Sequence, residues 1–216
     1  MIRKTVVLLA ASLFAVSAHA QLAGYATLTV SRMSSLKTSP YAAQLDKNLV
    51  DDSINPLGAT LGAYYDFRTL GPFRLGVDAR TQLLTTKQGA ESGYNGIGGR
   101  VHSYLGGVRG TFHVYKAFDG YVQGSAGLGQ SDYGFAPALI YAVDGQPNQP
   151  KAHVILKNNV EYHVFAGLQL HVLPYADWRV FEAGYGALSG GGHTYPLPSV
   201  STGVVFHLPT KNEASR

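Results

Sequence analysis

The stretch ATLGAYYDFRTLGPFRLGVDARTQLL, residues 59–84, decides the fold. Over 59–68, Ala59, Leu61, Ala63, Tyr65 and Phe67 fall on one face, and Thr60, Gly62, Tyr64, Asp66 and Arg68 on the other. Over 73–83, Phe73, Leu75, Val77, Ala79 and Leu83 oppose Arg74, Gly76, Asp78, Arg80 and Gln82. A period of two sustained over this length is that of a strand with one apolar face. Thr69, Leu70, Gly71 and Pro72 leave room only for a short reversal. The stretch is therefore a hairpin of antiparallel strands, each apolar on one side and charged on the other.

The same pattern extends along the chain. Alternating segments are expected near 22–33, 58–68, 73–84, 101–114, 120–132, 159–173, 177–188 and 199–208, with no helix. In 160–172, Val160, Tyr162, Val164, Ala166, Leu168, Leu170 and Val172 oppose Glu161, His163, Gln169 and His171. In the last segment Val200, Val204, Phe206 and Leu208 oppose Ser201, Gly203 and His207, with Thr202 a polar exception on the apolar side. The connections alternate in length. Those at 34–57, 85–100, 133–158 and 189–198 are long and polar, whereas 69–72, 115–119 and 174–176 are short. Hairpins whose tight turns all lie at one end produce this alternation, and transmembrane barrels have short turns on one side and long loops on the other.

Composition limits the alternatives. Arg3 and Lys4, the apolar run from Thr5 to Val16 and the small residues Ala18 and Ala20 make 1–20 a secretory signal peptide, with cleavage before Gln21. The apolar run falls short of the ~20 residues that a helix needs to cross a bilayer. The chain has no Cys, so neither lipid attachment at a cysteine nor a disulfide framework is available. Net charge is +4 with the leader and +2 without Arg3 and Lys4, which does not point to nucleic acid. The 26 Gly and 14 Tyr suit a curved sheet with amphipathic residues at a membrane boundary.

Alternation alone fits two exported barrels, a soluble one with an apolar interior and a membrane one turned inside out. The loop asymmetry favours the second. So do the aromatics near the short turns: Phe67, Phe73, Phe112, Tyr115, Phe118, Tyr175, Trp178 and Phe206, with Tyr104 and Tyr162 placed for the opposite girdle. The polar faces also carry equal numbers of each sign, Arg68, Arg74, Arg80 and Arg109 against Asp66, Asp78, Glu161 and Glu182. An eight-stranded lumen is only wide enough to be filled by side chains, and charges enclosed there must pair. Guanidinium groups suit bidentate pairing with carboxylates. These eight residues are the expected structural charge network. Strict alternation puts Arg179 on the lipid face, beside a short turn where it could snorkel.

The C-terminal segment Ser201-Thr202-Gly203-Val204-Val205-Phe206-His207-Leu208 resembles the targeting pattern of bacterial outer-membrane barrels: a polar residue, Gly, then hydrophobic or aromatic residues separated by one. With the leader and the eight-strand layout, 21–208 resembles the OmpA-like or OmpX-like small-barrel superfamily. The resemblance implies an all-β, eight-stranded, up-and-down transmembrane β-barrel with a polar lumen, long external loops and short periplasmic turns. It also implies outer-membrane lipid and lipopolysaccharide as surroundings, and periplasmic chaperones and the barrel assembly machinery as partners in biogenesis, with Ser201, Gly203, Phe206 and Leu208 carrying the assembly signal. Such barrels usually end at the terminal aromatic. Here residues 209–216 follow as a polar tail, too short for a peptidoglycan-binding domain.

No catalytic, cofactor or metal residues are assigned. Some barrels of this kind modify lipid A through His and Ser, but His102-Ser103 and the pair Glu161 and His163 do not form their His-x-Ser-Asn arrangement. A local contact between Glu161 and His163 is the reading preferred. His113, His171 and His207 lie near the short-turn ends of inward faces on strands that are not neighbours, and read as separate lumen residues rather than a metal centre. The Gly-rich pieces Asn95-Gly96, Gly98-Gly99 and Gly190-Gly191-Gly192 follow no parallel strand and are loop segments, not phosphate cradles. With Tyr94, Tyr133 and Tyr141 nearby they suit surface recognition. The functional expectation is a non-enzymatic structural or surface-interaction protein with a plugged, charged lumen. The alternatives are a narrow channel for small solutes and a lipid A-modifying enzyme.

Overall fold

The computed structural model describes residues 21–36, 53–88, 95–115, 117–135, 152–190 and 192–208. The termini 1–20 and 209–216 lie outside the described residues, as do 37–52, 89–94 and 136–151 within the expected loops. The strands in chain order are β1 (Gln21–Ser31), β2 (Leu57–Leu70), β3 (Phe73–Gln88), β4 (Asn95–Tyr115), β5 (Phe118–Phe135), β6 (Ala152–Leu173), β7 (Ala176–Gly190), β8 (His193–Pro196) and β9 (Ser199–His207). Each pairs antiparallel with its neighbour from β1 to β7, and β9 closes the ring by pairing with both β7 and β1.

The expected eighth strand, 199–208, is β9, and β8, inside the expected loop 189–198, extends the same stave. β8 pairs with Ala187 to Gly190 of β7, and β9 with Ala176 to Gly184. The break falls at Leu197 and Pro198, and Pro196 also lacks an N–H to donate. Leu197 N still donates to Gly186 O at 2.8 Å, so the wall is continuous across it. The structure is thus a closed barrel of eight staves, in which β1 to β7 and β9 each pair with a strand on both sides.

Three of the reversals are short: Gly71 and Pro72, residues 116–117, and Pro174 with Tyr175. At Gly71 the backbone takes φ 59°, which glycine adopts at little cost. The opposite end differs from expectation. The anticipated loop 189–198 is mostly wall, with Gly192 at φ 74° just before β8. β4 begins at Asn95 and β6 at Ala152, inside segments that composition marked as loop. Main-chain pairing needs only an adjacent strand, so hairpins continue beyond the apolar band without any period-two signal. In β6 the signal stops at 159 because Asn158, at φ 54°, lies where the register with β5 shifts.

Orientation is unambiguous. Val77, Val108, Val164 and Val200 are among the exposed large hydrophobics, while Thr60, Arg109, Glu161 and Glu182 are buried. The interior is layered. At the loop end, Met33, Ile54, Leu84, Val101, Tyr133, Leu188, Tyr195 and Leu197 form an apolar cap. Tyr133, expected at the surface, is fully buried in it. Below the cap lies a charged and aromatic middle layer, and below that a polar mouth at the short-turn end. The outer face near that end carries exposed Phe73, Tyr115, Tyr175, Trp178 and Phe206, while Tyr104 and Tyr162 stand farther up the wall.

Candidate functional site

The middle layer is built around Arg80 on β3. Its Nε donates to Asp78 Oδ1 at 3.1 Å, Nη1 to Glu182 Oε1 at 3.1 Å, and Nη2 to Glu182 Oε2 at 3.3 Å and Gln123 Oε1 at 2.9 Å. Its guanidinium lies 3.9 Å from the Phe165 ring centroid. Glu182 also accepts from Arg179 Nη1 at 3.2 Å and Tyr121 Oη at 2.5 Å. Asp78 accepts from Tyr25 Oη at 2.9 Å and Gln123 Nε2 at 2.7 Å. The side chains of Arg80, Asp78, Glu182 and Arg179 have no exposed surface. Charge-assisted hydrogen bonds between fully desolvated partners are the strong kind, and Asp78 Oδ1 and Glu182 Oε2 each accept more than one.

Arg109 is held differently. Its guanidinium sits between the rings of Tyr64 and Tyr121, 3.9 Å from each centroid. Nε donates to Thr111 at 3.1 Å and Nη2 to Gln169 Oε1 at 3.0 Å. Among the described residues it makes no ion pair, so π faces and neutral oxygens replace the carboxylate that was expected.

Of the eight charges expected in the lumen, Asp66, Asp78, Arg80, Arg109, Glu161 and Glu182 are buried there. Arg74 lies at the short-turn mouth, its side chain 36% exposed and paired with Asp119. Arg68 does not belong with them: it is exposed on the outer face. The register jumps from Asp66↔Gly76 to Arg68↔Leu75, leaving Phe67 as an extra residue, and Arg68 then shares the outward side of Leu75. Arg179 is the opposite correction. Expected in lipid, it is fully buried. A bulge between Arg179 and Glu182 leaves Val180 as the extra residue on β7, so residues three apart both point inward. Thr202 Oγ1 donates to the Arg179 carbonyl at 3.0 Å and accepts from Trp178 Nε1 at 3.2 Å. It is polar on an apolar face because it serves groups near the bulge. The cost of an arginine facing hydrocarbon was the available hint of this bulge.

The equal count of charges was therefore made from a partly wrong set. Asp119 and Asp177, both buried, were missed because each sits next to a turn, at the second position of its strand. His113, His171 and His207, read as separate, are connected through these two carboxylates. Nearer the loop end, Ser103 Oγ donates to Glu161 Oε2 at 2.7 Å, and His163 Nε2 lies 2.9 Å from Glu161 Oε1. The carboxylate stands between serine and histidine. His163 stacks on Phe165, with ring centroids 5.1 Å apart. The order is serine–carboxylate–histidine, whereas a serine–histidine–acid relay places the imidazole at the serine oxygen. The C-terminal residues all lie on β9 or just after it: Ser201 faces inward, 3.0 Å from Thr29 Oγ1, and Phe206 and Leu208 face outward.

No protein-family model and no curated protein matches the chain. Solved structures do. Neisserial surface protein A shares 12% identity over 87% of this chain and 97% of its own, with a TM-score of 0.55. Ail, the attachment invasion locus protein of Yersinia pestis, solved with the heparin analogue sucrose octasulfate, shares 16% identity over 87% and 99%, with a TM-score of 0.47. The chain thus shares the antiparallel β-barrel fold of Neisserial surface protein A.

Proposed function

We propose that the chain is an exported bacterial outer-membrane protein with no enzymatic activity, anchored by its apolar girdle and plugged along its axis. Its role is structural or one of surface interaction through the loop end. The observation that carries this reading is the inversion of the barrel. Valines and leucines cover the outside, while Arg80, Arg179, Asp78 and Glu182 neutralise one another inside. Hydrocarbon satisfies the first and no soluble environment requires the second. The short-turn end faces the periplasm and the loop end the exterior, in contact with lipid and lipopolysaccharide. Chaperones and the barrel assembly machinery deliver it, reading Ser201, Gly203, Phe206 and Leu208.

The apolar cap and the charged layer, which fill the axis among the described residues, support this over a solute channel. The Ser103, Glu161 and His163 order supports it over a lipid A-modifying enzyme. Three measurements separate the readings. The protein should fractionate with outer membranes and shift mobility on heating in a gel. It should give no steady conductance in planar bilayers. Lipid A mass spectra should be the same with and without it. A soluble periplasmic protein, a stable channel or altered lipid A would each overturn the corresponding part.

A further inference from the structure

The two hairpins at the short-turn mouth share a local sequence. HVYKAFD at 113–119 and HVLPYAD at 171–177 both read His-Val, four residues, Asp. In each, the histidine is the direct cross-strand partner of the aspartate, His113↔Asp119 and His171↔Asp177. Because β5 pairs with β6, the two units lie side by side. His113 Nδ1 is 2.9 Å from Asp119 Oδ1, and His171 Nε2 is 3.5 Å from Asp119 Oδ2. The ligand atoms of His113, Asp119 and His171 lie within 4.8 Å of one another.

The second unit fixes the first. His171 Nδ1 is 3.0 Å from Asp177 Oδ1, and Asp177 Oδ2 is 2.7 Å from His207 Nε2. A neutral His171 that donates from Nδ1 to Asp177 turns the lone pair of Nε2 toward Asp119. Lone pair and carboxylate then face each other across 3.5 Å, a gap that a proton or a metal ion can fill. A carboxylate that orients a histidine whose other nitrogen binds a metal is a recurrent outer-shell device. Below the cluster is a cavity of about 240 Å³, lined by Tyr64, Arg74, Asp119, His171, Asp177 and His207 among others, which leaves room for water as a fourth ligand.

We infer that His113, Asp119 and His171 form a binding site for a divalent transition-metal ion of the zinc class at the periplasmic mouth, with Asp177 as the residue that orients His171. Imidazole and carboxylate donors suit such ions, whereas all-oxygen sites suit magnesium and calcium. Arg74 neutralises part of the site's charge. The guanidinium pairs with Asp119 on the side a metal would use. Because the Arg74 side chain is 36% exposed, it can leave toward solvent when an ion enters. Arg74 is therefore a built-in competitor.

The test is a titration of tag-free, detergent-folded protein with zinc ion, read by calorimetry and by the histidine signals in NMR, with magnesium as the control. One saturable zinc site is expected, shifting His113 and His171 but not His193 at the opposite end. His171→Gln and Asp119→Asn should abolish it, Asp177→Asn should weaken it ~10–100-fold, and Arg74→Gln should tighten it. Heat-shifted gel mobility confirms that each variant is folded. No saturable binding to the wild-type protein overturns the inference whatever the variants do. Binding that survives His171→Gln, or that magnesium matches, overturns it too.

Discussion

Replacing Arg80 with Ala tests the enclosure of the charged layer most directly. Arg80 is the only cation bonded to Asp78 among the described residues. Removing it leaves Asp78 buried with two neutral donors, Tyr25 and Gln123. Glu182 is better protected, since Arg179 and Tyr121 still reach it. One stranded carboxylate rather than two, and that one still hydrogen-bonded, puts the loss at the low end of the ~3–5 kcal/mol that follows breaking a buried pair. About 3 kcal/mol corresponds to a factor above a hundred in the folding equilibrium. The assay is urea unfolding in phospholipid vesicles, followed by Trp178, the only tryptophan, which is 46% exposed on the outer wall. Adding Asp78→Asn removes the stranded charge, so the double variant should recover about 1–2 kcal/mol relative to Arg80→Ala alone. A loss below about 1 kcal/mol for Arg80→Ala, or simple additivity in the double variant, would refute the reasoning, because a solvated arginine behaves that way.

The two bulges make opposite predictions for residues of one type. Arg68→Ala should change stability by less than about 0.5 kcal/mol, whereas Arg179→Ala should cost roughly 1–3 kcal/mol through its lost charged hydrogen bond to Glu182 in the same unfolding assay; equal effects would mean that the Phe67 and Val180 register shifts are wrong. Thr202→Val should cost about 1 kcal/mol by leaving the Arg179 carbonyl and the Trp178 N–H unserved, seen as a lowered urea midpoint. Among the glycines, a Cβ at Gly127 would collide with the Tyr104 backbone carbonyl, while one at Gly106 meets open space. Gly127→Ala should therefore destabilise by ~1–3 kcal/mol and Gly106→Ala by nothing measurable, both read from thermal gel-shift midpoints.

What the sequence made legible was whatever repeats with the strand period. The pairing of 59–68 with 73–83, the three short turns and the outward valines follow from alternation and from the spacing of Gly and Pro. What stayed hidden depends on single residues that break the period. One extra residue in the register at Phe67 and one at Val180 exchange the faces of Arg68 and Arg179, and no count of alternating residues reveals where a strand gains such a residue. Asp119 and Asp177 were invisible for another reason: they border turns, where composition cannot tell the last inward position from the first residue of the reversal. The apolar cap joins residues as distant as Met33 and Leu197, a contact only the closed ring creates.

The layering of the interior has a consequence for how such a chain can change over time. Greasy cap, ionic belt and imidazole–carboxylate rim obstruct the same axis in series, so loss of any one leaves two obstructions standing. If the barrel sits in a membrane as proposed, a substitution that hollows out Met33 or unpairs Arg80 weakens the protein while the other layers still fill the axis, so each level can drift separately.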